Sequence, residues 1–130
     1  MFKFFEPITL NKAENLSPVT LAFAGDAVYS LYVRQKLVLE ADYPAGKLQK
    51  LSSAQVSAHG QNELLRRIEP KFTEQEAAIF KRGRNAKKPS HSKNADLAEY
   101  NNSTGLEAVI GWLYLTGQGE RLLQLLEDEE

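Results

Sequence analysis

The stretch Leu21-Ala-Phe-Ala-Gly-Asp-Ala-Val-Tyr-Ser-Leu-Tyr-Val33 decides how the rest of this chain is read. It is apolar almost all round, as expected of a helix running through the middle of a domain. Its one acidic side chain is Asp26, placed at the centre beside Gly25. Burying a lone carboxylate is costly unless something pairs with it. A second stretch, Ser103 to Leu115, repeats the design around Glu107, with Gly105 and Gly111 close by.

Outward from Asp26, Ser17 and Pro18 form a helix start signal, predicting a helix over about 18–39 that ends before Asp42-Tyr43-Pro44. Upstream, residues 1–16 read as an irregular arm that lays Phe2, Phe4 and Phe5 across the core. Downstream, apolar residues recur at mostly helical spacing over about 45–69, giving one helix or a pair with a bend at Gly60. Thr73-Glu74-Gln75-Glu76 is a capping box opening another helix, which Gly83 is expected to stop. A helix over about 94–116, in one piece or in two joined near Asn101-Asn102, ends at Gly117-Gln118-Gly119. Residues 120–126 form a last amphipathic turn or two, and 127–130 an acidic, frayed tail. No strand alternation or repeat appears. The expectation is a single all-α domain over 1–130, with about six to seven helices.

Composition narrows the function classes. The 130 residues are 42% hydrophobic and 25% charged, ordinary for a globular domain, with a net charge of -1. That charge excludes a uniformly basic coat but not a local basic patch. There is no cysteine, so disulfides and Cys-based zinc sites are excluded, and His59 and His91 lack metal-ligand spacing. No signal-peptide pattern and no apolar run of about 18 residues occurs, so a cytoplasmic protein with no membrane segment is expected.

Two constellations are candidates for chemistry. Asp26 and Glu107 each stand alone in an apolar helix beside small residues that allow close helix approach. Two carboxylates brought together repel, and a divalent cation relieves the repulsion while activating water. Oxygen ligands favour Mg²⁺, with Mn²⁺ as a substitute. Ser103 and Thr104, four and three residues before Glu107, share its helix face and are candidates to hold metal-bound waters, with Asp96 and Glu99 further back. The competing reading is structural, with each carboxylate bonded to an arginine such as Arg34 or Arg66, or to a backbone amide of a neighbouring segment.

The second constellation is the span 81–93, read as a loop, with six basic residues and no acidic one. Arg82, Arg84, Asn85, Lys87, Lys88 and Lys93 are its candidate phosphate contacts, against the plainer reading of a solvated charged loop. Trp112, Tyr114, Tyr29 and Tyr32 fall within the apolar helices and read as core or interface residues.

The segment Leu21-Ala-Phe-Ala-Gly-Asp-Ala-Val28 resembles the signature helix of the ribonuclease III family, and Leu106-Glu-Ala-Val-Ile-Gly-Trp-Leu-Tyr-Leu115 resembles its second metal-binding helix. With Arg82-Gly-Arg-Asn85 and the Ser103-Thr-x-x-Glu-Ala108 string, the chain is most similar to the Mini-ribonuclease III branch, a catalytic domain without a double-stranded-RNA-binding domain. The resemblance implies that Asp26 and Glu107 hold catalytic Mg²⁺ in an α-helical homodimer. It implies hydrolysis of double-stranded RNA to 5′-phosphate ends with short 3′ overhangs. It further implies maturation of 23S ribosomal RNA precursor, with a ribosomal protein as a candidate helper. Two acids of the larger family are replaced here by Val19 and Thr104, and a usual glutamate by Ala22. A non-catalytic RNA-binding or ribosome-assembly module is the alternative; a helical DNA-binding domain is weaker, because no basic recognition helix follows a short turn.

Overall fold

A computed structural model describes residues 1–87 and 96–127, and among them every regular element is helical. In order these are α1 (Leu10–Glu14), α2 (Pro18–Glu40), α3 (Ala45–Val56), α4 (Ala58–Ile68), a 3₁₀ turn (Glu69–Lys71), α5 (Glu74–Asn85), α6 (Leu97–Leu115) and α7 (Gly119–Leu126). The all-α expectation is met.

Helix α6 is the axis of the fold. Ten of its residues are buried, from Ser103 to Leu113 with Glu107 left out, and it packs most extensively against α2 and α5, with α4 and α7 on its remaining sides. Local signals set its ends. Asp96 accepts from the amides of Ala98 and Glu99, and Gly117 at φ 77° turns the chain out. The Gln118 amide then reaches back to the Leu113 carbonyl at 2.8 Å and the Gly117 amide to that of Tyr114 at 3.1 Å, a glycine-terminated helix end. There is no break at Asn101-Asn102.

The Ser17-Pro18 start and the Thr73–Glu76 capping box both form as read. Glu76 also ties two helices together. Its side chain, buried at 3% exposure, is forked by Arg121 from α7 at 2.8 and 2.9 Å. The buried core is completed by Tyr29, Trp112, Leu64, Ile68, Phe80 and Leu125.

Four expectations are corrected. The aromatic arm does not cover the core: Phe2, Phe4 and Phe5 are exposed and pack on one another, while Ile8, Ala13 and Leu16 make the inward contacts. Its anchor is the Ile8 amide on the Leu115 carbonyl at 2.8 Å, and Thr9 caps the short α1. The bend expected at Gly60 falls instead at Ser57, whose extended backbone and side chain cap α4. Gly60 serves the same corner differently: a methyl there would lie 2.1 Å from the Ala54 carbonyl oxygen. Third, α5 does not stop at Gly83 but continues through the basic residues to Asn85. Gly83 is a packing glycine, since a methyl on it would meet the Gly105 Cα at 2.9 Å. Fourth, the tail begins ordered: Glu127 bonds Lys36 at 3.0 Å.

The central helix of the sequence is also less buried than its composition suggests. Leu21, Ala22, Gly25, Tyr29, Val33 and Leu37 face inward, but Phe23, Ala27, Leu31, Val38 and Leu39 lie exposed on α2. A helix apolar on both sides therefore has one side buried within this chain and the other open.

Candidate active site

The site is made where α2 crosses α6. Gly25 and Gly111 face each other there: a methyl on Gly25 would lie 1.8 Å from the Glu107 carbonyl oxygen and 2.8 Å from the Gly111 nitrogen. One on Gly111 would lie 1.9 Å from the Leu21 carbonyl oxygen. No residue with a side chain fits at either position, so the two backbones touch. Asp26 follows Gly25 and Glu107 precedes Gly111 by one helical turn. The close approach of the backbones therefore puts the two carboxylates beside each other.

Their environments differ. Asp26 is exposed, contrary to its expected burial, whereas Glu107 is half-buried. Burial is the main cause that pushes the Glu107 carboxyl up to about 8, and the charge of Asp26 and a hydrogen bond with it push the same way. Only Gln61 opposes this, donating from Nε2 to Glu107 Oε2 at 3.1 Å. The partner of the buried carboxylate is thus an amide from α4 together with Asp26; neither arginine considered from sequence takes that role. Arg66 pairs with Glu63 at 3.3 Å, and Arg34 lines the groove between α2 and α3.

The other residues singled out from sequence divide. Ser103 is buried and its hydroxyl donates to the carbonyls of Glu99 at 3.0 Å and Ala58 at 3.4 Å. Thr104 is buried and donates to the Tyr100 carbonyl at 3.2 Å. Asp96 is the N-cap of α6, and Glu99 accepts from His59 Nδ1 at 3.1 Å. Among the described residues, no group of three or more His, Asp or Glu stands close enough to hold a metal ion.

Arg82, Arg84 and Asn85 lie in the last turn of α5, and Lys87 is exposed just beyond it. Arg84 stacks over Phe80 at 5.5 Å and bonds Asn85 Oδ1 at 3.2 Å. Gly83 packs on Gly105 and Ala108 of α6, the latter next to Glu107, so the basic end of α5 is fixed at the level of the carboxylates. Lys88 and Lys93, also singled out, lie outside the described residues, as does His91.

Gln61 was not anticipated. Its signal was present: it occupies the first place of the series Gln61, Leu64, Leu65, Ile68, the buried face of α4. A polar residue in an apolar register asks for a buried partner.

An all-helical domain with two acids paired across a glycine crossing, and a basic helix end packed on the same central helix, fits the class of helical nucleases. The Ribonuclease III domain matches residues 19–118, and the chain belongs to that family. It is 43% identical over 122 residues to the Mini-ribonuclease 3 of Thermoanaerobacter sp., covering 94% of this chain and 86% of the relative. It is 44% identical over 118 residues to that of Staphylococcus aureus, covering 89% and 88%. A crystal structure of a protein from Fusobacterium nucleatum superposes with a TM-score of 0.80 at 32% identity, covering 87% of this chain and 92% of the other. The chain is an endoribonuclease, as its motifs implied.

Proposed function

We propose that this endoribonuclease cuts double-stranded RNA with a divalent cation, Mg²⁺ or Mn²⁺, held by Asp26 and Glu107, and that its substrate is the 23S ribosomal RNA precursor. The observation that carries the reading is the pairing of these two acids at the Gly25–Gly111 crossing. The donor set fits such an ion. It offers two carboxylate groups that repel each other, with one carboxyl held well above its usual range by burial. Mg²⁺ retains several waters, so two protein ligands suffice. Buried beside them is Gln61 Oε1, an oxygen without a hydrogen-bond partner.

Bound there, the cation supplies Lewis acidity, lowering the pKa of a water and offsetting charge on the scissile phosphate. The chain's own residues do the rest. Gln61 holds the Glu107 carboxylate, and α6 and α2 fix its distance from Asp26. Arg82, Arg84, Asn85 and Lys87, with Lys88 and Lys93 beyond them, contact phosphates, so recognition follows A-form shape more than sequence.

The exposed apolar side of α2 supports a homodimer. Phe23, Ala27 and Leu31 recur every fourth residue and line one stripe, with Phe23 at 84% and Leu31 at 63% exposure. A second copy applying the same stripe would cover both and bring two sites onto one duplex. A monomer in sedimentation at micromolar concentration would contradict this.

The reading is tested by incubating wild-type protein with a structured duplex RNA and with a single strand of the same sequence, with and without Mg²⁺. Cutting confined to the duplex and to Mg²⁺ is the expected outcome. Binding without cutting under any divalent cation would overturn it. Dependence on a ribosomal protein is tested by adding ribosomal proteins to a 23S precursor assay.

A further inference from the structure

Gln61 is 3% exposed and sits on α4, facing the crossing of α2 and α6. Its amide orientation follows from its neighbours. The Val56 carbonyl can only accept, so the nitrogen must face it, and Nε2 lies 3.1 Å from that oxygen. The second N–H points to Glu107 Oε2, also at 3.1 Å. Both donors are therefore used. The Oε1 atom, on the same amide carbon, is buried with no partner and is the one such side-chain atom among the described residues. Reversing the amide would set an oxygen against the Val56 carbonyl and the carboxylate at once, so it does not remove the problem.

A buried acceptor without a donor costs folding free energy and persists where something else supplies the donor. Here the open valence belongs to a group whose other end already grips one of the paired carboxylates. We infer that Gln61 is a positioning residue of the metal site: its Nε2 aims Glu107, and its Oε1 accepts from a water bound to the divalent cation. The inference rests on the metal reading of Asp26 and Glu107 given above. It also explains how a site with no third acid in range among the described residues gains a further oxygen behind its bound water. Because Gln61 also holds Val56, the last residue of α3, the corner between α3 and α4 is braced against the site.

The test is a Mn²⁺ titration followed by electron paramagnetic resonance, on wild type, Gln61→Met and Gln61→Glu, with circular dichroism confirming helicity. Met fills the same space with neither donor nor acceptor. We expect it to bind Mn²⁺ about tenfold or more weakly, the usual effect of losing a partner behind a metal ligand. Glu keeps an oxygen where Oε1 lies but loses the donors to Val56 and Glu107, so we expect it to bind Mn²⁺ more weakly than wild type yet more tightly than Gln61→Met. A merely structural glutamine would reverse the order of the two variants, because a third buried carboxylate then only destabilises. Folded Gln61→Met binding Mn²⁺ like wild type, or Gln61→Glu binding no better than Gln61→Met, overturns the assignment. Should Gln61→Met not fold, the Gln61 side-chain amide resonances of wild type decide: they shift at saturating Mg²⁺, and their failure to shift overturns it. Wild type that binds no Mn²⁺ at all refutes the metal site itself, a separate outcome.

Discussion

Gly25→Ala tests whether the helix crossing is what makes the site. In an ordinary helix interior this change is favourable by about 1 kcal/mol, because alanine is the better helix former. Here the added methyl would lie 1.8 Å from the Glu107 carbonyl oxygen, over an ångström closer than side-chain carbons come to any backbone atom. The obstacle is helix backbone, which cannot rotate away as a side chain would. Helices α2 and α6 must part, losing the packing of Leu21, Leu106 and Ile110, all 1% exposed. Overpacking costs about 1–3 kcal/mol where side chains can shift, and about 3–5 kcal/mol here, where the obstacle is helix backbone. After the propensity gain, a net loss of about 2–4 kcal/mol remains, or a fall in Tm of roughly 6–15 °C. The same displacement separates Asp26 from Glu107, so RNA cutting should fall further than stability alone explains. The control is Gly46→Ala in α3, where a methyl meets nothing within 4 Å. It should be neutral or stabilising by up to about 1 kcal/mol. Thermal and urea unfolding read both. A Gly25→Ala protein as stable as the Gly46→Ala control would refute the reasoning.

Two further outcomes follow. Burial alone would raise the Glu76 carboxyl, but the Arg121 fork and the Thr73 amide outweigh it and hold it below 4.5. Its contribution is therefore present above about pH 4.5 and lost as pH falls through the lowered folded value; Arg121→Met should cost about 2–3 kcal/mol near pH 7 and remove that acid-side loss, as measured by urea unfolding across pH. Arg82→Ala with Arg84→Ala should weaken duplex RNA binding and flatten its salt dependence by about one to two in logarithmic slope; an unchanged slope in a filter-binding series would take the end of α5 off the RNA surface.

What the sequence disclosed and what it withheld have distinct physical causes. Helix starts at Ser17-Pro18 and Thr73–Glu76, and the stop at Gly117, are local codes written within a turn, and all were legible. The break at Ser57 was not, because apolar residues keep helical spacing on both sides and Gly60 is the more conspicuous residue. Gly83 has the form of a helix stop, and only the closeness of Gly105 shows that it is a packing contact. The basic run looked like a loop from its composition, yet its first five residues continue a helix that Phe80 and Gly83 anchor to α6. At the site, Asp26 and Glu107 were conspicuous as single charges in apolar helices, and the glycines beside them gave the reason they would meet. Gln61 was harder to see. Its bond to Glu107 spans 46 residues, and only its place in the apolar register of α4 marked it.

The most direct measurement is single-turnover cleavage of duplex RNA in Mg²⁺ by wild type, Asp26→Asn and Glu107→Gln, with unfolding curves on each. Both substitutions keep shape and remove charge, and Glu107→Gln also relieves a buried, repelled carboxyl, so it should fold at least as stably as wild type without metal. We expect both variants to stay folded and bind RNA while cutting falls below detection. If either cuts at the wild-type rate, the paired carboxylates are not the site.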